Sequence, residues 1–276
     1  MRITLTEFNI KQIADSGQCF RMYEIAPNHY GIPSADRYVE VIQHSERVIE
    51  FLCNEDEFHQ YWIRYFDLET DYTSIIDSIK SGNDSFLKNA VSYGHGIRIL
   101  HQDPFETMVS FILSQNKNIP AIRQSVDGLC QMFGHQIATD SLGLPVYSFP
   151  TPDKLAGTDL ALLRQLKAGY RDQYIVNAAN AVMDGLLNLN ELSHMPADVA
   201  KKELLKINGI GEKVANCILL FGLHHIDVYP IDVWIKRIID EIYHGDFDPS
   251  QYAGYAGIVQ QYQFYYMRNG YKKRVP

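Results

Sequence analysis

The chain has 276 residues, 46% apolar and 21% charged, the balance of an ordinary folded globular protein with room for two or three small domains. No apolar run reaches the ~18 residues of a membrane span, and the opening MRITLTEFNIKQ lacks the apolar stretch of a signal peptide, so a cytoplasmic protein is expected. The formal net charge of −8 is uneven: residues 1–100 carry 9 Lys/Arg against 15 Asp/Glu, residues 101–200 carry 6 against 10, and residues 201–276 carry 10 against 8. Only the last third is basic, which fits a protein touching few phosphates better than a tight non-specific nucleic-acid binder.

The first hundred residues read as strands. ITLTEF, HYGI, RYVEVIQ and RVIEFLC alternate β-branched or aromatic residues with polar ones, broken by turn residues. EDEFHQYWIRYF and DYTSIIDSIKSG follow as amphipathic helices, the second closing at Ser-Gly. From Asp103 the period is helical. DPFETMVSFILSQ opens on Asp-Pro, and AIRQSVDGLCQMFG ends on a capping glycine. DLALLRQL, RDQYIVNAANAVMDGLL, ADVAKKELLKI, KVANCILLFGL, VWIKRIIDEIY and the aromatic YAGYAGIVQQYQFYYMRN continue it. The expected class is α+β: an N-terminal antiparallel sheet domain with flanking helices over 1–100, then a larger all-α region over 101–276.

Cys19, Cys53, Cys130 and Cys217 are far apart and form no C-x-x-C pair, so zinc-ribbon and iron–sulfur readings fail on spacing. Reduced thiols are the simplest assignment.

Residues 207–234, INGIGEKVANCILLFGLHHIDVYPIDVW, are the most informative stretch. A hairpin over 197–223 turns at Gly209 and Gly211, whose bare backbone N–H groups suit a DNA phosphate. Lys213 follows in the first turn of an apolar helix, near the positive end of its dipole, a place that favours a nucleophilic amine. Asp232 lies nineteen residues on, just after Pro230, and opens the segment 229–243. It could orient the amine and stabilise a neighbouring positive charge. Taken singly, these residues have ordinary readings: the lysine as a phosphate contact, Asp232 as a helix N-cap.

In this order, the hairpin, lysine, aliphatic helix and Pro-x-Asp resemble the helix-hairpin-helix DNA glycosylase superfamily, and Lys213 with Asp232 match its bifunctional glycosylase/lyase branch. The four-cysteine iron–sulfur loop typical of the endonuclease-III-like branch is missing. SGQCFR at 16–21, QDPFETMVSFILSQNKNI at 102–119 and AGYRDQY at 168–174 further resemble the 8-oxoguanine DNA glycosylase family, in family order.

The resemblance implies removal of 8-oxoguanine from duplex DNA by base flipping, attack of Lys213 on C1′, and β-elimination. It places Asn116 in the vacated stack, Tyr170 as a wedge and Arg171 at the partner base. It gives Gly17 the carbonyl that meets the N7 proton of the oxidised base, and sets Cys217 against that base. It implies no metal or organic cofactor beyond a structural cation on the hairpin carbonyls, duplex DNA as partner, and a monomer.

Some positions depart from the family pattern. Ala121 stands where the animal members have an arginine that reads cytosine. Trp234 stands where a phosphate-contacting histidine is common. The family also carries a Gln and a Phe in its C-terminal helix that read and sandwich the base. Alignment of YAGYAGIVQQYQ places Gly257 and Gln261 there, with Gln260 and Tyr262 as open substitutes. The pattern resembles a bacterial member. Two rival readings are a monofunctional alkyl-base glycosylase of the same fold, which would lack Lys213, and a non-catalytic helix-hairpin-helix DNA-binding module.

Overall fold

The computed structural model describes residues 1–271. It opens with a five-stranded antiparallel sheet of order β1-β5-β4-β3-β2, formed by β1 (Arg2–Thr4), β2 (Tyr23–Ala26), β3 (His29–Ser34), β4 (Arg37–Gln43) and β5 (Val48–Phe51). The register pairs Tyr30 with Val41 and Ile32 with Val39, so period-two alternation sends these side chains to the buried face. Gly31 is fixed by crowding: a Cβ there would lie 2.6 Å from Tyr23 Cζ and 2.7 Å from the Tyr38 hydroxyl.

The sheet's core is aromatic. Phe51 packs at 5.0 Å from Phe58 and 5.4 Å from Phe66, with Phe8 and Trp62 beside them. The stretch after β5 is helical as expected, but not uniformly so. Glu55–Glu57 and Ile63–Tyr65 are α-helical, and a π-turn, Phe58–Trp62, joins them.

The helical region follows. Its helices begin on side-chain caps that the sequence advertises: Asp103 before Pro104–Ser114, Asn118 before Ile119–Phe133 and Asp232 before Val233–Glu241. The two core clusters interleave along the chain, with Phe20 in the helical core and Leu100 in the sheet core. Tyr72, Ile76, Ile79, Phe86, Leu87, Ala90 and Val91 pack into the larger helical core, against Tyr262 and its neighbours, and not under the sheet.

Among the elements that sequence patterning did not reveal are the helix Ile10–Asp15, β2, the helix Ser85–Gly94, and a small hairpin of β6 (Gln136–Thr139) and β7 (Pro145–Tyr147). The helix Ile10–Asp15 and the three strands are four to six residues or fewer, too short to establish a period.

A buried ion pair locks the sheet domain to the helical region. Arg21 Nη1 donates to Glu106 Oε2 at 2.9 Å, and Arg21 Nη2 donates to the Tyr147 carbonyl. Burial pushes the Glu106 carboxyl up and the Arg21 charge opposes it. Removing one partner of such a pair strands the other. Arg21→Met is therefore expected to cost about 3–5 kcal/mol of unfolding free energy. The double variant Arg21→Met/Glu106→Gln should recover most of that loss. Urea titration of the three proteins checks this, and an Arg21→Met protein as stable as the parent would contradict it.

Candidate active site

One cleft of about 940 Å³ gathers residues from both ends of the chain. Gly17, Asn116, Gly211, Lys213, Cys217 and Asp232 all line it. Tyr170, Arg171 and Gly209 stand behind or beside its wall.

The hairpin is built as its sequence requires. The helix Ala197–Leu204 leads into the turn, and Gly209 adopts φ +100°, where a Cβ would collide with the Tyr174 ring. Gly211 is extended and exposed, with open space around it, and caps the helix Glu212–Phe221. Lys213 is the second residue of that helix. Its Nζ lies 3.5 Å from Ser114 Oγ and 5.0 Å from the centroid of the Phe111 ring. Cys217, one turn further, is buried, and burial pushes its thiol up against the opposing effect of Lys213. It is a neutral thiol, fit for packing and not for nucleophilic attack.

Asp232 satisfies both of its readings. Oδ1 accepts from the backbone N–H groups of Trp234 and Ile235, each at 2.9 Å, so it is an N-cap. It also faces the cleft, and no donor among the described residues reaches its Oδ2. Burial pushes its carboxyl above the ordinary 3.8, against lowering by the Ile235 hydrogen bond and the Lys213 charge. The cap holds the carboxylate still and leaves one oxygen for the cleft.

Gly17 has φ +79°, and a Cβ there would press on Phe264 Cε1 at 3.1 Å and Ile119 Cδ1 at 3.3 Å. Its carbonyl accepts no hydrogen bond from the described residues. The neighbouring Gln18 anchors the turn: its Nε2 donates to the Arg98 carbonyl at 2.8 Å, and its Oε1 accepts from Leu100 N at 2.8 Å.

The C-terminal helix Ala256–Asn269 corrects the sequence alignment. Gly257 is off the cleft: its N–H donates to the Ile226 carbonyl at 2.7 Å and its Cα packs against Leu220. Tyr262 is fully buried and also off the cleft. Gln260, Gln261 and Phe264 line it instead. Gln260 and Phe264 stand four residues apart, one turn along the helix. Phe264 and Ser114 were given no role by the sequence reading.

At the rim Asn116 is exposed at φ +52° and its Nδ2 donates to the Tyr170 hydroxyl at 3.0 Å. Tyr170 is 52% exposed. Arg171 differs from the sequence expectation. It is 6% exposed, its guanidinium stacks 4.3 Å from the Tyr170 ring centroid, Nη1 donates to the Ala168 carbonyl at 3.1 Å and Nη2 to the Gln115 carbonyl. Here it is an internal strut and presents no donor to the cleft. The Ala121 N–H is taken by the Asn118 cap. Trp234 lines the cleft.

A second cavity of about 570 Å³ lies elsewhere and is lined by His101 and His224. With Asp67 they bring ligand-type atoms within 4.8 Å of one another. The two rings stack at 3.4 Å and 15°, so their lone pairs run side by side instead of converging, which is poor geometry for a shared ion.

Comparison with known proteins fits this architecture. Residues 1–108 match the N-terminal domain of 8-oxoguanine DNA glycosylase, and residues 109–252 match the HhH-GPD superfamily of base excision DNA repair proteins. The chain belongs to the 8-oxoguanine DNA glycosylase family. It is 30% identical to the N-glycosylase/DNA lyase of Saccharomyces cerevisiae over 88% of this chain and 70% of the relative. The 8-oxoguanine glycosylase/lyase of Clostridium acetobutylicum, solved with double-stranded DNA bearing cytosine opposite 8-oxoguanine, superposes with a TM-score of 0.88 at 34% identity, covering 95% of this chain and 92% of that one. MBOgg1, solved with a low-affinity DNA ligand, gives 0.90 at 36% identity over 97% and 94% of the two chains.

The cap in this glycosylase yields a stability test independent of chemistry. Asp232→Ala removes both hydrogen bonds to the helix start and should cost about 0.5–2 kcal/mol, whereas Asp232→Asn keeps a capping oxygen and should cost only a few tenths. Thermal unfolding of the two variants separates them, and equal losses would mean that the cap contributes nothing.

Proposed function

We propose that this glycosylase removes 8-oxoguanine from duplex DNA and then nicks the strand, with Lys213 as nucleophile and Asp232 as its electrostatic partner. The observation that carries the assignment is the shared cleft. A half-buried primary amine and a capped carboxylate with one open oxygen line a cavity large enough for a flipped nucleotide.

The Lys213 amine attacks C1′, and the base leaves with the electrons of the glycosidic bond. Positive charge develops at the sugar, and the Asp232 carboxylate stabilises it. The resulting C1′ aminal opens its sugar ring: the C1′–O4′ bond breaks, O4′ takes up the proton shed by the nitrogen, and a Schiff base is left at C1′. This acidifies the 2′ proton, and β-elimination expels the 3′ phosphate. The amine and carboxylate suffice for these steps, so no metal or organic cofactor is invoked. The superfamily's structural cation at the hairpin would be held by hard carbonyl oxygens. Ile207 O already accepts from Ile210 N at 3.0 Å and Gly209 O from Gln115 Nε2 at 3.0 Å, which leaves each a second lone pair. A monomer is taken as the acting unit, as the resemblance implies.

Recognition follows from acceptor placement. The Gly17 carbonyl, free of partners and held at a turn only glycine fits, meets the N7 proton of 8-oxoguanine. Guanine offers an acceptor there and is repelled. Phe264 and Cys217 cover the faces of the flipped base. Asn116 and Tyr170 fill the gap in the duplex. The alkyl-base reading fails to account for Lys213, and the non-catalytic reading fails to account for a carboxylate and an amine in one base-sized cleft.

Lys213→Gln should abolish base release and borohydride trapping on an 8-oxoguanine duplex while leaving the fold intact, since Gln is tolerated at a helix start. A variant that still trapped covalently would show that another amine is the nucleophile. Asp232→Asn should slow single-turnover excision by about 10²–10⁴.

Asp232 acts as the anion and its carboxyl lies above 3.8. Excision should therefore fall as pH drops through that raised value and recover above it. The acid limb of the pH–rate profile belongs above 3.8 and should vanish in Asp232→Asn.

Opposite-base discrimination should be weak. Ala121 has no donor, and Arg171 is committed to two backbone carbonyls. A missing charged donor at a base edge is worth about 1–3 kcal/mol. Ala121→Arg should restore preference for cytosine. Excision from four duplexes differing only in the opposite base measures this, and a wild-type cytosine preference of about a thousandfold, beyond what one such donor supplies, would overturn it.

A further inference from the structure

We propose that Ser114 is a positioning residue for the nucleophile: its hydroxyl oxygen accepts an N–H of Lys213 and holds the amine with its lone pair turned away from the serine and free for C1′. The inference rests on the glycosylase reading above and adds the group that aims the attack.

The lysine is held from the facing helix. Its Nζ lies 3.5 Å from Ser114 Oγ and 5.0 Å from the centroid of the Phe111 ring, and both residues belong to the helix Pro104–Ser114. Asp232 is not the tether. Its Oδ1 is engaged with the Trp234 and Ile235 N–H groups, and no donor among the described residues reaches its Oδ2. The Cys217 thiol also touches the amine, one turn along the lysine's own helix, but sulfur is a weak acceptor. Among the described residues, Ser114 Oγ is the oxygen that the amine bonds.

The end of the helix fixes the direction of that bond. The Gln115 N–H donates to the Ile112 carbonyl at 3.4 Å, three residues back, so the Phe111 carbonyl loses the i+4 donor that a continuing helix would supply. The Ser114 hydroxyl takes that place and donates to the Phe111 carbonyl at 2.7 Å. A serine has one hydroxyl proton. With that proton spent on Phe111, Ser114 can only accept from Lys213. A serine with a free proton could instead donate to the nitrogen lone pair and block the attack.

Phe111 keeps the arrangement in place. Its ring stacks on Phe221, from the lysine's helix, at 5.5 Å and 14°, and meets Phe20 edge-on at 5.5 Å. The amine is bounded by a packed ring face and by an acceptor whose proton is committed, and it lines the cleft beside them. Holding a nucleophile this way matters because a displacement of about 1 Å can cost about a hundredfold in rate.

The test uses two duplexes, one bearing 8-oxoguanine and one bearing a preformed abasic site, which offers C1′ but no base to read. In Ser114→Ala, single-turnover excision and borohydride trapping at the abasic site should both slow by about tenfold to a hundredfold, the range for a misplaced nucleophile. Ser114→Thr keeps a hydroxyl able to bond the carbonyl one turn back and should restore both rates to near those of the parent. Affinity should be unchanged for a duplex holding 2′-fluoro-8-oxoguanine, whose fluorine disfavours positive charge at the sugar and so resists excision. Thermal unfolding checks that Ser114→Ala folds. Should it not, Ser114→Val matches Thr in shape without the hydroxyl and makes the same comparison. Slow excision with abasic trapping at the parent rate would assign Ser114 to the base pocket and overturn the proposal. So would a Ser114→Thr protein as slow as Ser114→Ala, or a Ser114→Ala protein as fast as the parent. A parent protein that neither released 8-oxoguanine nor trapped at the abasic site would instead overturn the functional reading beneath it.

Discussion

The DNA-facing surface depends on one glutamine. Gln115 ends the helix Pro104–Ser114, and its Nε2 donates to the Gly209 carbonyl at 3.0 Å and to the Ile112 carbonyl at 3.2 Å. Its own carbonyl accepts from Arg171. Three separate turns therefore meet at one residue: the Asn116 loop, the glycine hairpin and the Tyr170 turn. Each is irregular backbone and would otherwise be mobile. Tying them through backbone carbonyls makes the rim rigid while leaving the Asn116 and Tyr170 side chains exposed. Arg171 is part of the same truss, which explains why a residue expected at a base edge is buried.

The site was legible where its signals are local. A hairpin of Gly209 and Gly211, a lysine two residues on, and an aspartate placed as an N-cap are features of consecutive residues, and all of them fall in the cleft or against its wall. The C-terminal helix was illegible for a definite reason. Its residues from Ala256 to Tyr265 are buried on every side. A helix that is buried all round has no amphipathic phase, so periodicity cannot say which residues face a given cavity. Gly257 and Gln261 were read there, whereas Gln260, Gln261 and Phe264 are what the fold presents. The anchoring of Gln18, Arg21 and Gln115 was equally hidden. Each acts on a partner more than eighty residues away, which no local pattern records. The fold class came through because sheet and helices are segregated along the chain. The helices from Tyr72 to Gly94 pack against residues far ahead in the sequence, a long-range contact that no local pattern records.

The acidic composition is consistent with this economy of contact. Several cations are spent inside the protein: Arg21 on Glu106, Arg98 on the carbonyls of Glu7 and Asp67, and Arg171 on those of Ala168 and Gln115. None of these neutralises a phosphate. Non-specific affinity scales with the phosphates contacted, so cations committed inside the fold add nothing to it. Recognition must then come from inside the cleft, from buried acceptors and a shaped pocket.

That division sets what the interior has to do. A protein held loosely by the backbone can reject guanine only if the pocket penalises it after flipping. Unpaired acceptors are suited to this because their cost is asymmetric. The right base relieves a desolvated oxygen, and the wrong one leaves it stranded or faces it with another acceptor. The Gly17 carbonyl has no hydrogen-bond partner among the described residues, and the Gln261 side-chain oxygen is buried without one. Gly17 has a backbone conformation that a side chain would strain, and the Gln261 amide is hydrogen-bonded through Gln260 to Pro230. An acceptor that could turn away would find another donor and lose its selectivity. The rigidity of the wall is therefore what lets unsatisfied groups discriminate between bases.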